Sequence, residues 1–143
     1  MVAILLIGIA ALAGCSAPKP DPRRERLGPN PGEAALRQVA DARIGAQKFG
    51  RCAQCHSIEP GAGHRAGPNL AGVMGAPVAG DGSYGYTAAL RSVGGTWTWQ
   101  SMNAWLTSPQ RFAPGNKMAY PGVTDPLDRA DLIAYLEAKS RGR

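Results

Sequence analysis

The chain has 143 residues, a length that allows one domain with short additional segments. Its 16 Lys and Arg against 10 Asp and Glu give a formal net charge of +6 at pH 7. Because these charges are scattered and accompany no nucleic-acid-binding motif, the composition argues against nucleic acid as a partner.

Residues 1–14 are predicted to be a signal peptide. Val2 to Ala13 is an apolar run of 12 residues, shorter than the roughly 20 that a membrane-spanning helix needs and typical of a signal h-region. The run ends in Leu12-Ala13-Gly14-Cys15, which resembles the lipobox of bacterial lipoproteins, in which the signal is cut before the cysteine. Cys15 is therefore predicted to carry a lipid, although Met1-Val2-Ala3 lacks the usual positive charge. An uncleaved apolar anchor is the alternative, and both versions hold the protein at a membrane.

Residues 15–32 are predicted to form an extended tether. Five prolines stand between Ser16 and Gly32, and this density disfavours a helix and favours a solvated, extended chain. At about 3 Å per residue such a segment could reach roughly 50 Å from a bilayer. Its four Lys and Arg against two Asp and Glu could contact anionic head groups or only keep a spacer soluble. Residues 33–143 would then be the functional domain, with 12 Lys and Arg against 8 Asp and Glu.

Helix start and stop signals predict three main helices in this domain, from about Asp41 to Phe49, from Thr98 to before Pro109, and from Asp125 onward. Thr98 and Asp125 are good N-caps, and Pro126 suits the first helical position. The third helix has a predicted buried side of Leu132, Ile133, Tyr135 and Leu136.

Cys52-Ala53-Gln54-Cys55-His56 lies directly after the first predicted helix. Two cysteines three apart on a turn can reach the two vinyl groups of one porphyrin, and the adjacent histidine can ligate the iron. A dithiol redox pair and half of a zinc site use the same Cys-x-x-Cys. Beyond the motif the sequence has only Cys15 and His64 as further thiol or imidazole ligands, and it lacks the β-branched runs of a thioredoxin-like domain. A covalent haem is therefore the favoured interpretation.

No β pattern of useful length appears, and Gly-rich loops fill the stretch from Glu59 to Gly95. Loops of that length need a surface on which to pack. A flat haem supplies one and enlarges the small core of roughly 100 residues. We therefore expect an all-α fold, with three main helices, short helices and long loops around one covalent haem.

A second axial ligand to the haem iron is sought among Met74, Met102, Met118 and His64, with an open position as the alternative. Met102 lies on the apolar stripe of the second helix, where a methionine more often fills a core. Met74 lies in a Gly-rich loop that gives it no fixed support. Met118 ends the turn-rich run Pro114-Gly115-Asn116-Lys117-Met118, which can deliver a side chain inward, and it is favoured.

Taken together, these segments resemble class I c-type cytochromes, closest to mitochondrial-type cytochrome c and its membrane-anchored bacterial relatives. The resemblance spans about Asp41 to Ser140 and is carried by the haem motif, Gly45, Phe49, Gly67-Pro68-Asn69-Leu70, Tyr86-Thr87, Thr96-Trp97, the Met118 run and Asp131-Leu132-Ile133-Ala134-Tyr135-Leu136. It implies the cytochrome c fold, one haem c attached to Cys52 and Cys55, and His56 and Met118 as the axial ligands.

The same resemblance assigns supporting residues. It implies that the Pro68 carbonyl accepts a hydrogen bond from the His56 ring and fixes its orientation. It also implies that the haem propionates or nearby waters receive hydrogen bonds from Tyr86, Thr87, Trp97 and Asn116. Gly45 would permit the first and last helices to cross closely, and His64 would pin loops together.

The chain departs from the family pattern at Trp105, Leu90, Ala76 and Gln110. Trp105 stands where the family usually has a tyrosine that hydrogen-bonds the ligand methionine, and Gln110 stands where it has a docking-face lysine. We therefore expect a shifted redox potential and a different choice of partner.

The resemblance implies a one-electron carrier between membrane respiratory or photosynthetic complexes, and not an enzyme. The expected location is the periplasmic face of a bacterial cell-envelope membrane, with the protein as a lipid-anchored monomer. Partners would be a reductase and a terminal oxidase with acidic docking surfaces, met by basic residues near Cys55, namely Arg51, Arg65, Arg111 and Lys117. The alternative is a haem peroxidase or a gas or redox sensor in which Met118 leaves the iron.

Overall fold

The computed structural model describes residues 20–141, so the predicted signal peptide and Cys15 lie outside the described residues. Within this range the chain forms the helices α1 Pro22–Leu27, α2 Glu33–Val39, α3 Ala42–Lys48, a 3₁₀ helix Phe49–Gln54, α4 Ala88–Arg91, α5 Trp99–Thr107, α6 Pro109–Phe112 and α7 Pro126–Ala138. The only β pairing of the described part is an isolated bridge between Pro77 and Thr96. None of these helices has the length and apolar character required to cross a membrane. The expected all-α fold is confirmed.

The three predicted main helices are α3, α5 and α7, and their caps are those that the sequence indicates. Thr98 begins α5 with a capping box, in which its Oγ1 accepts from the Ser101 N–H while the Ser101 Oγ accepts from the Thr98 N–H. Asp125 caps α7 by accepting from the N–H groups of Leu127 and Asp128, both at 2.9 Å. Each cap satisfies donors that the first helical turn leaves without partners.

Helices α3 and α7 cross at the centre of the fold. A Cβ atom on Gly45 would lie 2.0 Å from the Asp131 carbonyl oxygen, so only glycine permits this approach. One turn further, the rings of Phe49 and Tyr135 pack with their centroids 5.3 Å apart. The crossing fixes where α3 ends, and the 3₁₀ helix with the Cys-x-x-Cys-His motif follows directly.

The core lies between α7 and α5. Ile133 is fully buried and Leu127 nearly so, and Leu132 and Leu136 complete the buried face of α7. On α5 the buried side chains are Trp99, Met102, Trp105 and Leu106. Met102 is 4% exposed within this core, consistent with a packing role rather than a ligand role.

The prediction that residues 15–32 form an extended tether is wrong for Pro22–Leu27, which form helix α1. Pro22 occupies the first turn of the helix, where its missing N–H costs nothing and its fixed φ is suitable. Asp21 caps the helix by accepting from the Arg23 N–H at 2.9 Å. Counting prolines misses this helix because Pro29 and Pro31 lie after its end and do not interrupt it. The helix ends at the C-cap Gly28, which has a φ of +68°.

The packed part of the chain also begins earlier than the predicted domain boundary at residue 33. The Arg23 guanidinium donates to the Asp131 carboxylate on α7, and to the Val39 carbonyl at the end of α2. Helix α2 in turn buries Leu36. Residues from about 21 onward therefore belong to the folded unit.

Candidate haem site

The Cys52-x-x-Cys55-His56 motif closes a tight turn at the end of the 3₁₀ helix. The N–H groups of Cys55 and His56 both donate to the Cys52 carbonyl, at 3.0 and 2.9 Å. Cys52 is half-buried and Cys55 is exposed, and neither forms a disulfide with another described cysteine. Burial raises the pKa of the Cys52 thiol. The turn thus presents two thiols and one imidazole from a single short segment.

The His56 ring is held in one tautomer. Its Nδ1 lies 2.8 Å from the Pro68 carbonyl oxygen, and because a carbonyl only accepts, Nδ1 carries the hydrogen. Nε2 makes no hydrogen bond to any residue between 20 and 141, so its lone pair is free to bind a metal. Burial lowers the pKa of His56, although the hydrogen bond to Pro68 acts in the opposite direction. The lowered pKa favours the neutral form of the ring, which is the form that binds a metal.

Gly67 lies directly on this imidazole, a role that the sequence argument missed. A Cβ on Gly67 would stand 2.4 Å from the His56 Cε1 and 2.7 Å from its Nδ1. The Gly67 N–H also donates to the Cys55 carbonyl at 2.7 Å. The Pro68 carbonyl and the bare Cα of Gly67 therefore position the His56 ring together. The sequence signal that could have indicated this role of Gly67 is a Gly-Pro pair shortly after the ligand motif.

Met118 sits in a loop that is braced by side-chain amides. The buried Asn116 donates from Nδ2 to the carbonyls of Pro109 and Ala113, at 2.8 and 2.9 Å, and its Oδ1 accepts from the Met118 N–H at 2.8 Å. Gln110 donates to the carbonyls of Asn116 and Met118, at 3.1 and 3.4 Å. The Met118 side chain is half-buried against the core. The loop shape is thus set by Asn116 and Gln110.

The four predicted propionate donors differ in their surroundings. Asn116 directs its amide into its own loop, so its contact with a propionate stays a prediction. Thr87 caps α4, where its Oγ1 accepts from the Leu90 N–H at 3.3 Å, and its hydroxyl hydrogen is left for another acceptor. The Tyr86 hydroxyl and the Trp97 indole N–H donate to no other residue of the described range. These three donors suit a carboxylate.

Three aromatic rings form an apolar wall next to the methionine loop. The ring centroids of Trp97, Trp105 and Phe112 lie 5.7 to 5.8 Å from one another. Such rings are suited to pack against a large flat apolar group. The residues present therefore fit a covalent haem. They offer two thiols on one turn, an imidazole with a free Nε2, a thioether, and hydroxyl and indole donors.

His64 connects loops and is not available as a ligand. Its Nδ1 accepts from the Asn69 N–H at 3.0 Å, and its Nε2 bonds the Ser83 Oγ at 2.9 Å. In residues 20–141 no three His, Cys, Asp or Glu side chains gather where they could hold a metal ion.

The four predicted docking residues, Arg51, Arg65, Arg111 and Lys117, are exposed and make no ion pairs with other described residues. Arg65 donates to the Ala53 carbonyl and Lys117 to the Gly85 carbonyl, each at 2.6 Å. Seven other basic side chains of the described residues pair with carboxylates, namely Arg23, Arg24, Arg37, Arg43, Lys48, Lys139 and Arg141. Arg26, Arg91 and Arg129 have no ion pair in this range.

The chain matches no protein-family model. It is 42% identical over 103 residues to a cytochrome c of Guizotia abyssinica, covering 71% of this chain and 93% of that protein. It is 40% identical over 106 residues to a cytochrome c homolog of Bradyrhizobium diazoefficiens, covering 73% and 58% respectively. Among solved structures it resembles cytochrome cH from Methylobacterium extorquens, with a TM-score of 0.64, 38% identity, and coverage of 69% of this chain and 99% of that chain.

Proposed function

The chain belongs to the class I c-type cytochrome family, and we propose that its haem c is ligated by His56 and Met118. As a member of that family it carries one covalent haem c and is an electron-transfer protein, not an enzyme. When bound, the haem iron supplies one-electron chemistry by alternating between its ferrous and ferric states. The chain's own residues attach, orient and shield this group.

The two cysteines provide the attachment. Each thiol would hold the porphyrin through a thioether, with its sulfur bonded to one vinyl carbon and its hydrogen passed to the other. The tight turn between Cys52 and Cys55 presents both sulfurs from one segment. A covalent link keeps the cofactor bound through both oxidation states.

The observation that carries the proposal is the state of His56. The Pro68 carbonyl and the bare Gly67 fix the ring, and Nε2 is left with its lone pair free. A histidine already oriented by a backbone acceptor is how proteins prepare an imidazole for a metal.

Met118 supplies the second ligand. A thioether favours ferrous iron, and so His and Met ligation raises the reduction potential. The braces from Asn116 and Gln110 hold the Met118 backbone in place. With His56 and Met118 both bound to it, the iron would have no open site for small molecules such as peroxide.

The polar end of the cofactor would be held by hydrogen bonds. Tyr86, Thr87 and Trp97 have donor hydrogens with no acceptor among the described residues, and Asn116 lies in the ligand loop. A propionate that accepts from these groups could be buried without the cost of an unpaired charge.

The redox partners would be a reductase and a terminal oxidase with acidic docking surfaces. Arg51, Arg65, Arg111 and Lys117 are exposed and have no carboxylate partner within the described range, so their field is available to a partner. The exposed Cys55 thioether lies on the same motif. Such charges increase the association rate more than the affinity.

The expected location is the periplasmic face of a bacterial membrane. Support comes from the apolar run Val2 to Ala13 and the lipobox-like Leu12-Ala13-Gly14-Cys15. The similar proteins of Bradyrhizobium and Methylobacterium are bacterial.

The test combines visible spectra of the membrane-extracted protein, oxidised and reduced, with its intact mass. We expect one haem and one lipid in the mass, and a far-red methionine-to-iron band in the oxidised spectrum. Met118→Leu should remove that band, whereas the matched variant Met74→Leu, also at a half-buried methionine, should keep it. A far-red band that survives in Met118→Leu would rule out Met118 as the ligand. Carbon monoxide binding to the wild type at neutral pH would instead favour the sensor alternative.

A further inference from the structure

A carboxylate that is not part of the haem site lies at the centre of the helix packing. The Asp131 side chain is 0% exposed on α7. It accepts from the Asp41 N–H at 2.8 Å and from both terminal nitrogens of Arg23, at 2.8 and 3.0 Å. A buried carboxylate requires a charged partner, and here that partner comes from helix α1, 108 residues away in sequence.

The Arg23 guanidinium makes further hydrogen bonds beside its contact with Asp131. It also donates to both Asp21 carboxylate oxygens and to the Val39 carbonyl, at 2.6 to 3.1 Å. Only 11% of the Arg23 side chain is exposed. The Arg23 hydrogen bond holds the pKa of Asp21 at about 2, so the group is charged at neutral pH.

A second contact holds α1 on α7 one turn earlier. Arg24 pairs with Asp125 and, at 3.0 Å, with Asp128, which also receives Lys48 at 2.9 Å. Acidic residues in the first turn of α7 are themselves favoured by the helix dipole. Two arginines therefore bind two successive turns of α7.

From these contacts we propose that α1 is a latch, which shortens the N-terminal tether and keeps the α1 side of the domain against the membrane surface. The inference rests on the proposed membrane attachment, for which a lipid on Cys15 or an uncleaved apolar run serves equally. With α1 latched, the six residue-to-residue steps from Cys15 to Asp21 reach at most about 20 Å. With α1 released as far as α2, about 18 residues reach roughly 60 Å.

The latch has a functional consequence. A domain within about 20 Å of the bilayer meets partners that lie in the same membrane. A domain on a tether three times as long would also sample partners further out. The α1 face therefore lies against the lipid surface, and electrons pass to and from partners in the same membrane.

Proteolysis of the full-length holoprotein in its membrane tests the latch. Trypsin cleavage after Arg24 or Arg26 releases the haem domain, and Lys19 is followed by Pro20, which blocks cleavage there. Arg23→Gln should increase the rate of release of fragments beginning at Glu25 or Leu27 by on the order of tenfold to a hundredfold, because α1 opens locally. The control Arg43→Gln removes an equal charge from a side chain that is 91% exposed, and should leave the rate unchanged.

The double variant Arg23→Gln with Asp131→Asn guards against unfolding, because it leaves no unpaired carboxylate in the core. We expect rapid release with an unchanged haem spectrum. In intact membranes, quenching of a lipid head-group fluorophore by the haem should fall when the latch opens. Equal release rates for wild type and Arg23→Gln would overturn the latch. If the wild-type protein were found in the soluble fraction, the proposed membrane attachment would be wrong. Protection of the bonds after Arg24 and Arg26 from trypsin would still show that α1 is packed on α7.

Discussion

At the scale of single residues, the shape of the Met118 loop depends on two side-chain amides, those of Asn116 and Gln110. Asn116 is part of the Pro114 to Met118 run, and its bonds are local. Gln110 stands where the family usually has a lysine, and its amide donates to the carbonyls of Asn116 and Met118. A position expected to serve docking therefore braces the loop that presents Met118, the proposed ligand.

Gln110→Glu should weaken this brace, because a carboxylate cannot donate to a carbonyl. The loss of these hydrogen bonds costs about 1 kcal/mol, roughly a fivefold change in equilibrium. Added imidazole should therefore displace Met118 from the iron at roughly fivefold lower concentration, as followed by the far-red band. Gln100→Glu, at an exposed glutamine of α5, is the matched control. Equal imidazole affinity in the two variants would show that Gln110 has no such role.

At the scale of elements, the crossing of α3 and α7 positions the haem motif. Gly45 has no room for a Cβ against the Asp131 carbonyl, and α3 leads directly into the 3₁₀ helix that holds Cys52. The same turn of α7 carries the Asp131 carboxylate that binds Arg23. Helices α1, α3 and α7 are therefore coupled at one point.

Gly45→Ala should destabilise the protein by about 3 kcal/mol or more, because the two helices must separate to admit a methyl group. Guanidinium unfolding of the holoprotein, followed by far-UV circular dichroism, measures the loss. Gly50→Ala is the control, since a Cβ there meets nothing within 4 Å, and its stability should equal or slightly exceed that of the wild type. A Gly45→Ala protein as stable as the control would contradict the close crossing.

At the scale of the whole molecule, charge is divided into two kinds of surface. Arg23 and Arg24 of α1 and Lys48 of α3 pair with carboxylates of α7, whereas the exposed basic residues Arg51, Arg65, Arg111 and Lys117 have no ion pair with a described residue. Paired charges hold elements together, and unpaired ones project a field toward partners. The domain therefore has paired charges that hold α1 on α7 and unpaired charges that can attract a partner.

Arg111→Gln with Lys117→Gln should slow electron transfer with the membrane reductase or oxidase at low ionic strength by about tenfold. The difference should disappear near 1 M salt, where the screening length falls to about 3 Å. Stopped-flow oxidation and reduction across a salt series measures both. Arg26→Gln with Arg43→Gln removes two exposed charges, from α1 and α3, and serves as control. Rates that fall equally in both double variants would indicate net charge rather than a docking surface.

The features that the sequence alone determined are local ones. The Cys52 to His56 spacing, the caps at Thr98 and Asp125, and the turn-rich run to Met118 are each complete within a few residues. A residue's neighbours in sequence largely decide such turns and caps. The haem motif, the main helices and the fold class were therefore predictable.

The tertiary structure decided what depends on residues far apart in the chain. Helix α1 has six residues and few apolar ones, and it is bound through Asp131 and Asp125, more than 100 positions later. The brace from Gln110 and the contact of Gly67 with His56 depend on how loops fold back. Short helices are marginal by themselves, so their existence is a property of packing, which no local pattern of prolines or charges reveals.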